Sequence, residues 1–242
     1  MGIIVQKFGG SSVADTEKLF NICKHIVREY NKNNKLVVVV SAQGKTTDKL
    51  IQEELEITEI PNSREHEVLV SVGEQITIAK LAMCLNKLEI KAKSYLGWQV
   101  PIVTDSKFGD ANIISVHTEK ILKDLSDNNI VIVAGFQGVD SNNNITTLGR
   151  GGSDTTAIAL AAFLKSDKCE IYTDVDGVYS EDPNKNPNAK KYDIITYDKM
   201  LDMAKNGAKV LHAKCVELAK KYGVEIVVKS TFEEESRGTI VK

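Results

Sequence analysis

Short apolar runs rich in β-branched residues alternate along the chain with segments whose apolar residues recur every three or four positions. The short runs predict strands at 2–7, 35–41, 91–96, 130–136, 169–175 and 225–230. The run at 35–41, KLVVVVS, is apolar at almost every position. Such a run is typical of a central strand in a parallel sheet, which is buried on both faces.

Helices are predicted between these strands. Apolar residues from Leu19 to Tyr30 recur at i, i+3, i+4 and i+7, which indicates one buried helix face. Ser12 and Asp15, three positions apart before this helix, predict a capping box. Further helices are predicted at 64–88 with a break near 71–74, at 115–126, directly after 149–154, and at 211–222 with Gly223 closing the last. Repeated β-α alternation predicts an α/β fold with a mostly parallel central sheet and helices on both faces.

Composition narrows the class of protein. The 242 residues, 42% hydrophobic and 26% charged, fit one globular unit or two closely joined lobes. A formal charge of −2 gives no electrostatic case for binding nucleic acid or an anionic membrane. No unbroken apolar stretch approaches the ~20 residues of a membrane span. The four cysteines are scattered without a CxxC pair, so we expect buried, reduced thiols in a cytoplasmic protein.

Three glycine-containing loops follow predicted strands and lead into helices: KFGGSS at 7–12, SAQGKTTD at 41–48 and GRGGSD at 149–154. Glycine lets the backbone approach a ligand closely, and the first amides of a helix attract anions. Any single loop could be only a tight turn. Three of them, at strand ends where α/β sheets bind ligands, favour an anion-binding edge.

These loops match none of the common nucleotide or calcium motifs. A Walker A loop ending at Gly44-Lys45-Thr46 would need glycine at position 39, where Val39 stands. The dinucleotide fingerprint that begins at Gly149 fails because Asp154 replaces its third glycine. In the Asp174–Gly177 segment the glycine is at the fourth position rather than the sixth of an EF-hand, so a turn after a strand is favoured.

The remaining chemistry favours phosphoryl transfer. Lys7 and Lys209 are candidate cations beside the loops, and no Cys or Ser-His nucleophile set is evident. Phosphoryl transfer depends mainly on positioning and on neutralising charge, which such loops and lysines can provide. The residues therefore predict a kinase-like α/β enzyme of a non-Walker type.

Eight segments together resemble the catalytic domain of aspartokinases, within the amino-acid kinase fold. They are VQKFGGSSVAD (5–15), VVVVSAQGKTTDKL (37–50), SVGEQ (71–75), VAGFQG (133–138), ITTLGRGGSDTTA (145–157), CEIYTDVDGVYSEDP (169–183), GAKVLH (207–212) and VKSTF…GTIV (228–241). The resemblance implies a three-layer sandwich that transfers the γ-phosphoryl group of ATP to the side-chain carboxylate of L-aspartate. That reaction begins lysine, threonine, methionine and diaminopimelate synthesis.

Two alternatives stay open. The acceptor could be another acidic amino acid, or the chain could be a non-catalytic amino-acid-binding subunit. Retention of Lys7, Arg150, Asp154 and Lys209 together disfavours the second alternative, because a binding subunit has no need of the phosphoryl-transfer set.

The resemblance also implies roles for residues on the acceptor side. Arg150 would bind the α-carboxylate of aspartate, for which a planar guanidinium is well suited. Glu74 would receive the substrate ammonium group and Thr47 would add a hydroxyl contact. Ser153 would bring its backbone amide to the substrates.

On the transfer side, the resemblance implies that Lys7 neutralises the moving phosphoryl group, that Asp154 holds the active-site lysines, and that Lys209 assists. The implied nucleotide-binding residues are Lys7, Phe8, Gly9, Gly10, Ser11, Thr173, Asp174, Tyr179, Asp182, Pro183 and Lys209. ATP would bind as Mg-ATP with the ion held mainly by the phosphates, so no metal site made by the protein is expected.

Other expectations concern organisation. The resemblance implies an amino-acid lobe at about 1–145, a nucleotide lobe at about 146–242, and a homodimer. Aspartokinases usually continue into two C-terminal ACT regulatory modules, and as a departure from the family we expect none here. Gln43 stands where the family usually has methionine. His212 is interpreted as a core or capping residue, whereas His25, His66 and His117 are interpreted as surface residues.

Overall fold

The computed structural model describes residues 2–183, 185–186, 188–208, 210–233 and 236–242. Its strands are β1 (Ile3–Phe8), β2 (Lys35–Val40), β3 (Ala92–Tyr95), β4 (Ile102–Thr104), β5 (Ile113–Val116), β6 (Ile130–Ala134), β7 (Gln137–Val139), β8 (Ile145–Thr147), β9 (Lys168–Thr173), β10 (Ile194–Ile195), β11 (Ile226–Ser230) and β12 (Thr239–Val241). Its helices are α1 (Thr16–Tyr30), α2 (Thr46–Ile57), α3 (Ser63–Val70), α4 (Val72–Lys87), α5 (Glu119–Ser126), α6 (Gly152–Phe163), α7 (Tyr197–Lys205) and α8 (Ala213–Tyr222), and a 3-10 turn spans Gly10–Val13.

Eight strands form the central sheet, in the order β10-β12-β11-β9-β1-β2-β6-β3. All neighbouring pairs in it are parallel except β11 and β12. A small second sheet has the order β5-β4-β7-β8. The predicted α/β class with a mostly parallel central sheet is therefore confirmed.

Alternate residues of the central strands face two separate apolar cores. Val5 and Val37 pack on one face of the sheet, with residues of α6 and α8. Ile4 and Leu36 pack on the other face, with residues of α1 and α4. Because both faces are covered, β2 is apolar at every position from Leu36 to Val40, and its predicted central place is confirmed.

The predicted break in the long helix lies at Ser71, which separates α3 from α4. Gly73 allows the close approach of the neighbouring loop, because a Cβ there would lie 2.6 Å from Cβ of Ala42. Within the segment Ser63–Lys87, an 18-residue window reaches a mean hydropathy of 1.6, so by length and composition this segment could span a membrane. In the fold α4 instead packs against β3, β6 and α1, as a core helix does.

Some local predictions are wrong. The helix predicted at 115–126 begins only at Glu119, because residues 113–116 pair with β4 as a strand. Ser12 and Asp15 form no capping box: Asp15 caps α1 by accepting from the backbone N of Lys18, whereas Ser12 is buried and shares a 2.8 Å hydrogen bond with Oγ1 of Thr231. By contrast, Gly223 closes α8 with φ 65° as predicted, and all four cysteines are buried free thiols.

Candidate active site

Three neighbouring strands bring the predicted loops to one edge of the sheet. Phe8 is level with Val40 of β2 on one side and with Tyr172 of β9 on the other. The chain therefore leaves β1, β2 and β9 side by side, and the backbone N of Ser41 donates to the carbonyl of Phe8 at 3.2 Å. As expected for a parallel sheet, residues that follow these strands line two clefts at this edge.

Two clefts open here. The central cleft, of about 340 Å³, is lined by Lys7, Gly10, Ser41, Ala42, Gly44, Thr47, Glu74, Phe136, Gly149, Arg150, Gly151, Gly152, Ser153, Asp154 and His212. The β9 cleft, of about 560 Å³, is lined by residues that follow β9 from Thr173 to Lys185 and by residues between Met203 and Val210. The predicted acceptor-side residues all lie in the central cleft.

Lys7 and Asp154 form an ion pair across the central cleft. Lys7 is near the end of β1, and its Nζ lies 2.6 Å from Oδ1 of Asp154. Asp154 is in the first turn of α6 and only 6% exposed. The positive end of that helix favours a carboxylate in its first turn. The pair fixes the Lys7 ammonium in the lining of the cleft. Lys209, its expected companion, lies outside the described residues.

Glu74 is a buried carboxylate at the start of α4. It is 3% exposed, and its Oε1 accepts a 2.9 Å hydrogen bond from the backbone N of Ala42. Its Oε2 has no partner among the described residues. Burial raises the pKa of Glu74 to about 7, more strongly than the hydrogen bond from Ala42 lowers it. The carboxylate form of a buried acid without an ionic partner is stabilised when a cation enters the cleft and pairs with it.

Arg150 is exposed, lines the central cleft and forms no ion pair within the part of the chain that the structure describes. It stands between Gly149 and Gly151, whose φ angles of 74° and 70° favour glycine. Gly152 follows and has no room for a side chain, because a Cβ there would lie 2.8 Å from the Phe136 ring. The glycines therefore let the loop turn sharply while the Arg150 guanidinium stays in the cleft.

The remaining acceptor-side residues hold the cleft walls together. Oγ of Ser41 donates to Oγ of Ser153 at 2.9 Å, which links the end of β2 to the start of α6. Gly10 is in backbone contact with the second loop, since its carbonyl accepts from the N of Gly44 at 3.0 Å. Thr47, half-buried, lines the cleft at the start of α2.

The five predicted nucleotide residues that follow β9 meet in the β9 cleft: Thr173, Asp174, Tyr179, Asp182 and Pro183. Oγ1 of Thr173 donates to Asp174 at 3.0 Å. The Tyr179 hydroxyl donates to Oδ1 of Asp176 at 2.7 Å, and this bond is the main reason why the pKa of Tyr179 is raised to about 12. Tyr179 is thus fixed as a neutral phenol at the cleft wall.

The predicted nucleotide residues of the first loop do not join the other five in the β9 cleft. The side chain of Phe8 is fully buried and stacks on Tyr172 with ring centroids 4.6 Å apart, so only its backbone can face a nucleotide. Gly9 and Ser11 are not among the residues that line either cleft. Lys209 lies outside the described residues, and its neighbours Ala208 and Val210 line the β9 cleft.

Two histidines differ from their interpretation, His212 in part and His25 fully. His212 is the N-cap residue of α8, as one of its two interpretations had it, but it is exposed, makes no capping bond with its ring, and lines the central cleft. His25 is buried, and its Nε2 lies 2.8 Å from the carbonyl of Thr231. Both follow from tertiary contacts, and neither has a signal in the local sequence. His66, partly exposed and bonded to Glu54, and His117 lie at the surface as interpreted.

Known proteins share both sequence and fold with this chain. A profile of the amino acid kinase family matches residues 2–230. An aspartokinase from Bacillus sp. (strain MGA3) is 52% identical over 242 residues, which are 100% of this chain and 59% of that protein. The chain thus spans about 59% of the length of this curated relative.

Solved structures give the same picture. An aspartate kinase from Synechocystis superposes with a TM-score of 0.88 at 43% identity, covering 99% of this chain and 39% of that one. E. coli aspartokinase III in complex with aspartate and ADP gives a TM-score of 0.87 at 27% identity, covering 99% and 64%.

Proposed function

The chain belongs to the amino acid kinase family, and from this premise we propose that it transfers the γ-phosphoryl group of ATP to the side-chain carboxylate of L-aspartate. The product would be 4-phospho-L-aspartate, in the cytoplasmic synthesis of lysine, threonine, methionine and diaminopimelate. The observation that carries the proposal is the charge arrangement of the central cleft. Glu74, a buried carboxyl group, and Arg150, neither of which forms an ion pair with a described residue, share this cleft with the Lys7–Asp154 pair.

This arrangement complements an acidic amino acid. Arg150 can bind the α-carboxylate through two parallel hydrogen bonds, and Glu74 can accept from the α-ammonium group. The Thr47 hydroxyl and the Ser153 backbone amide can each donate a further hydrogen bond to the substrate. With both α-groups engaged, the side-chain carboxylate is the one group of aspartate left to meet Lys7.

The transfer itself needs little proton chemistry. A side-chain carboxylate is ionised at neutral pH, so one of its oxygens can attack the γ-phosphorus without a general base. A new P–O bond forms as the bond to the bridging oxygen breaks, and ADP leaves with that electron pair. Lys7 neutralises negative charge on the transferring group, the amides that begin α6 add positive potential, and Asp154 keeps Lys7 in place. Lys209 would assist from the nucleotide side.

The nucleotide would bind in the β9 cleft, with its phosphates directed along the first loop toward Lys7. Mg²⁺ fits as a companion of the phosphates. The described residues contain no group of three His, Cys, Asp or Glu side chains that could hold a metal ion. Asp154 is engaged by Lys7 and Asp174 by the Thr173 hydroxyl. The ion supplies further charge neutralisation at the phosphates.

We place the amino-acid lobe at about 1–145 and the nucleotide lobe at about 146–242. We also propose that the chain forms a homodimer through α4. Val72, Ile76 and Met83 on its outer face are 37%, 41% and 69% exposed, and half-buried Ala79 stands between them. Spacings of four, three and four residues form a seam of the coiled-coil type, which buries apolar area when two copies pair antiparallel.

The dimer can be tested with engineered thiols. Because the four native cysteines are buried, Ala79→Cys would be the accessible thiol of its chain. It should form a disulfide-linked dimer under mild oxidation, whereas Ile114→Cys, exposed on another element, should not. A monomer by sedimentation at micromolar concentration, with no crosslink from Ala79→Cys, would contradict the dimer.

The proposed reaction is tested by incubating the chain with Mg-ATP, L-aspartate and hydroxylamine. An acyl phosphate yields a coloured hydroxamate, whereas ATP hydrolysis alone does not. Glutamate, N-acetylglutamate and other acids in parallel reactions identify a different acceptor. Aspartate binding without hydroxamate from any acid would instead support a non-catalytic amino-acid-binding subunit.

A further inference from the structure

The direction of Arg150 depends on how its loop is anchored. Arg150 forms no ion pair with any described residue, and the glycines on either side of it give the backbone wide freedom. A guanidinium that must bind a carboxylate through two hydrogen bonds needs a defined direction. The anchor has to act on the residues that flank these glycines.

Lys214 provides an anchor before Arg150. It lies in the first turn of α8, and its Nζ donates to the carbonyl of Leu148 at 3.3 Å and to the carbonyl of Ala111 at 2.8 Å. The same ammonium donates to Oδ1 of Asp110 at 3.0 Å. An ammonium has three donors, and all three are used here. Two of these acceptors are backbone carbonyls, and one of them, Leu148, directly precedes the loop at 149–154 that carries Arg150, here called the Arg150 loop.

His212 provides a contact after Arg150. The residue immediately precedes α8, and its ring lies so close to Gly151 that a Cβ there would be 2.3 Å from Cδ2 of His212. Lys214 in α8 and His212 just before it therefore contact the loop that carries Arg150 on both sides. His212 limits where Gly151 can move, and Lys214 holds Leu148.

Asp110 and Ala111, the other two partners of Lys214, belong to the loop at 105–112, which is held in place by hydrogen bonds of its own. Its Gly109 N donates to Oε1 of the fully buried Glu67 at 2.6 Å, and its Ala111 N donates to the carbonyl of Thr147 at 2.9 Å. Gly149 packs against the same loop, since a Cβ there would lie 3.0 Å from the carbonyl of Gly109. Lys214 thus ties the Arg150 loop to a segment that is itself fixed to α3 and β8.

We propose that Lys214 is the positioning residue for Arg150: it holds the Arg150 guanidinium in the direction that binds the α-carboxylate of the acceptor. This inference rests on the proposed function. Lys214 has no role in the proposed transfer step, and its hydrogen bonds to Asp110, Ala111 and Leu148 do not include Lys7 or Asp154. Its loss should therefore act on acceptor binding and leave the transfer step intact.

The test compares three variants in steady-state hydroxamate assays. Lys214→Met should raise KM for aspartate about tenfold, while kcat and KM for ATP stay within about threefold of the unaltered chain. Lys214→Arg keeps donors to several acceptors and should restore KM. Lys107→Met is the matched control, because Lys107 binds the other oxygen of Asp110 at 2.5 Å and carries the same charge. It has no bond to Ala111 or Leu148, and its KM should be unchanged.

A double variant separates positioning from general destabilisation. If Lys214 acts through Arg150, Lys214→Met should have no further effect on KM in the Arg150→Ala background. Multiplied effects, a fall in kcat larger than the rise in KM, or an equal change in Lys107→Met would overturn the proposal.

The inference can fail separately from the function. If the unaltered chain makes no hydroxamate, the proposed function has failed. Hydrogen exchange still tests the anchor in that case. Amides in the peptide that contains residues 148–152 should exchange faster in Lys214→Met than in Lys107→Met. Equal exchange would overturn the anchoring role whatever the acceptor is.

Discussion

Replacing Glu74 with glutamine should change how the stability of the ligand-free chain depends on pH. Glu74 is 3% exposed, and burial raises its pKa from 4.5 to about 7. Between these pH values the folded chain keeps a proton that the unfolded chain has lost. The contribution of Glu74 to the free energy of unfolding is therefore fully present below pH 4.5 and is lost as the pH rises through 7.

The size of this effect follows from the pKa shift. A shift from 4.5 to about 7 corresponds to about 3 kcal/mol of unfolding free energy. Glutamine cannot ionise, so Glu74→Gln lacks this dependence. The amide also leaves donors without partners, but that cost is the same at every pH. The difference between variant and unaltered chain should thus shift by about 3 kcal/mol in favour of the variant from pH 4.5 to pH 8.

Urea unfolding at a series of pH values measures this difference directly. Glu53→Gln, at an exposed position of α2, is the control, and its difference from the unaltered chain should stay constant. A Glu74→Gln difference that varies by less than about 0.5 kcal/mol would mean that Glu74 ionises at its ordinary pKa. The account of the cleft as a site that holds a buried, partly protonated acid would then be wrong.

Three further outcomes are expected. Lys7→Met should lower turnover by about a hundred- to a thousandfold and leave aspartate affinity unchanged in calorimetry, because its charge acts mainly in the transition state; activity within tenfold would exclude this role. Arg150→Ala should weaken aspartate binding about ten- to a hundredfold with nucleotide affinity unchanged, and the reverse pattern would exchange the two cleft assignments. Lowering the pH from 8 to 6 should raise KM for aspartate about tenfold through protonation of Glu74, and this rise should be absent in Glu74→Gln.

The features that local chemistry determines could be predicted from the sequence. A continuously apolar, β-branched run such as 36–40 is typical of a strand buried on both faces, and β2 is one. Glycines at 149, 151 and 152 mark a loop that approaches other groups closely, and each is crowded or left-handed in the fold. The roles of the acceptor-side residues, by contrast, follow from the resemblance to aspartokinases, and the fold brings these residues to one cleft.

Other features depend on neighbours that are distant in sequence. The strands β7, β8, β10 and β12 have two or three residues each, too few for a periodic pattern. Ser12 is 219 positions from Thr231, its hydrogen-bond partner, so a local motif assigned it to a cap instead. The cleft position of His212 and the three bonds of Lys214 depend likewise on how α8 docks against the loop that carries Arg150.

The central cleft holds its charges in place before any ligand arrives, and this has a cost in stability. Oε2 of Glu74 is buried without a partner among the described residues, Phe136 has a φ of 71° in the cleft wall, and Arg150 stands between two glycines. An unpaired buried charge and left-handed backbone both oppose folding. A ligand that carries an ammonium and a carboxylate relieves the first of these costs, because it pairs Glu74 and Arg150 at once. Binding of the acceptor thus removes the unfavourable free energy of the unpaired Glu74. The acceptor should therefore raise the free energy of unfolding more than its small size alone suggests.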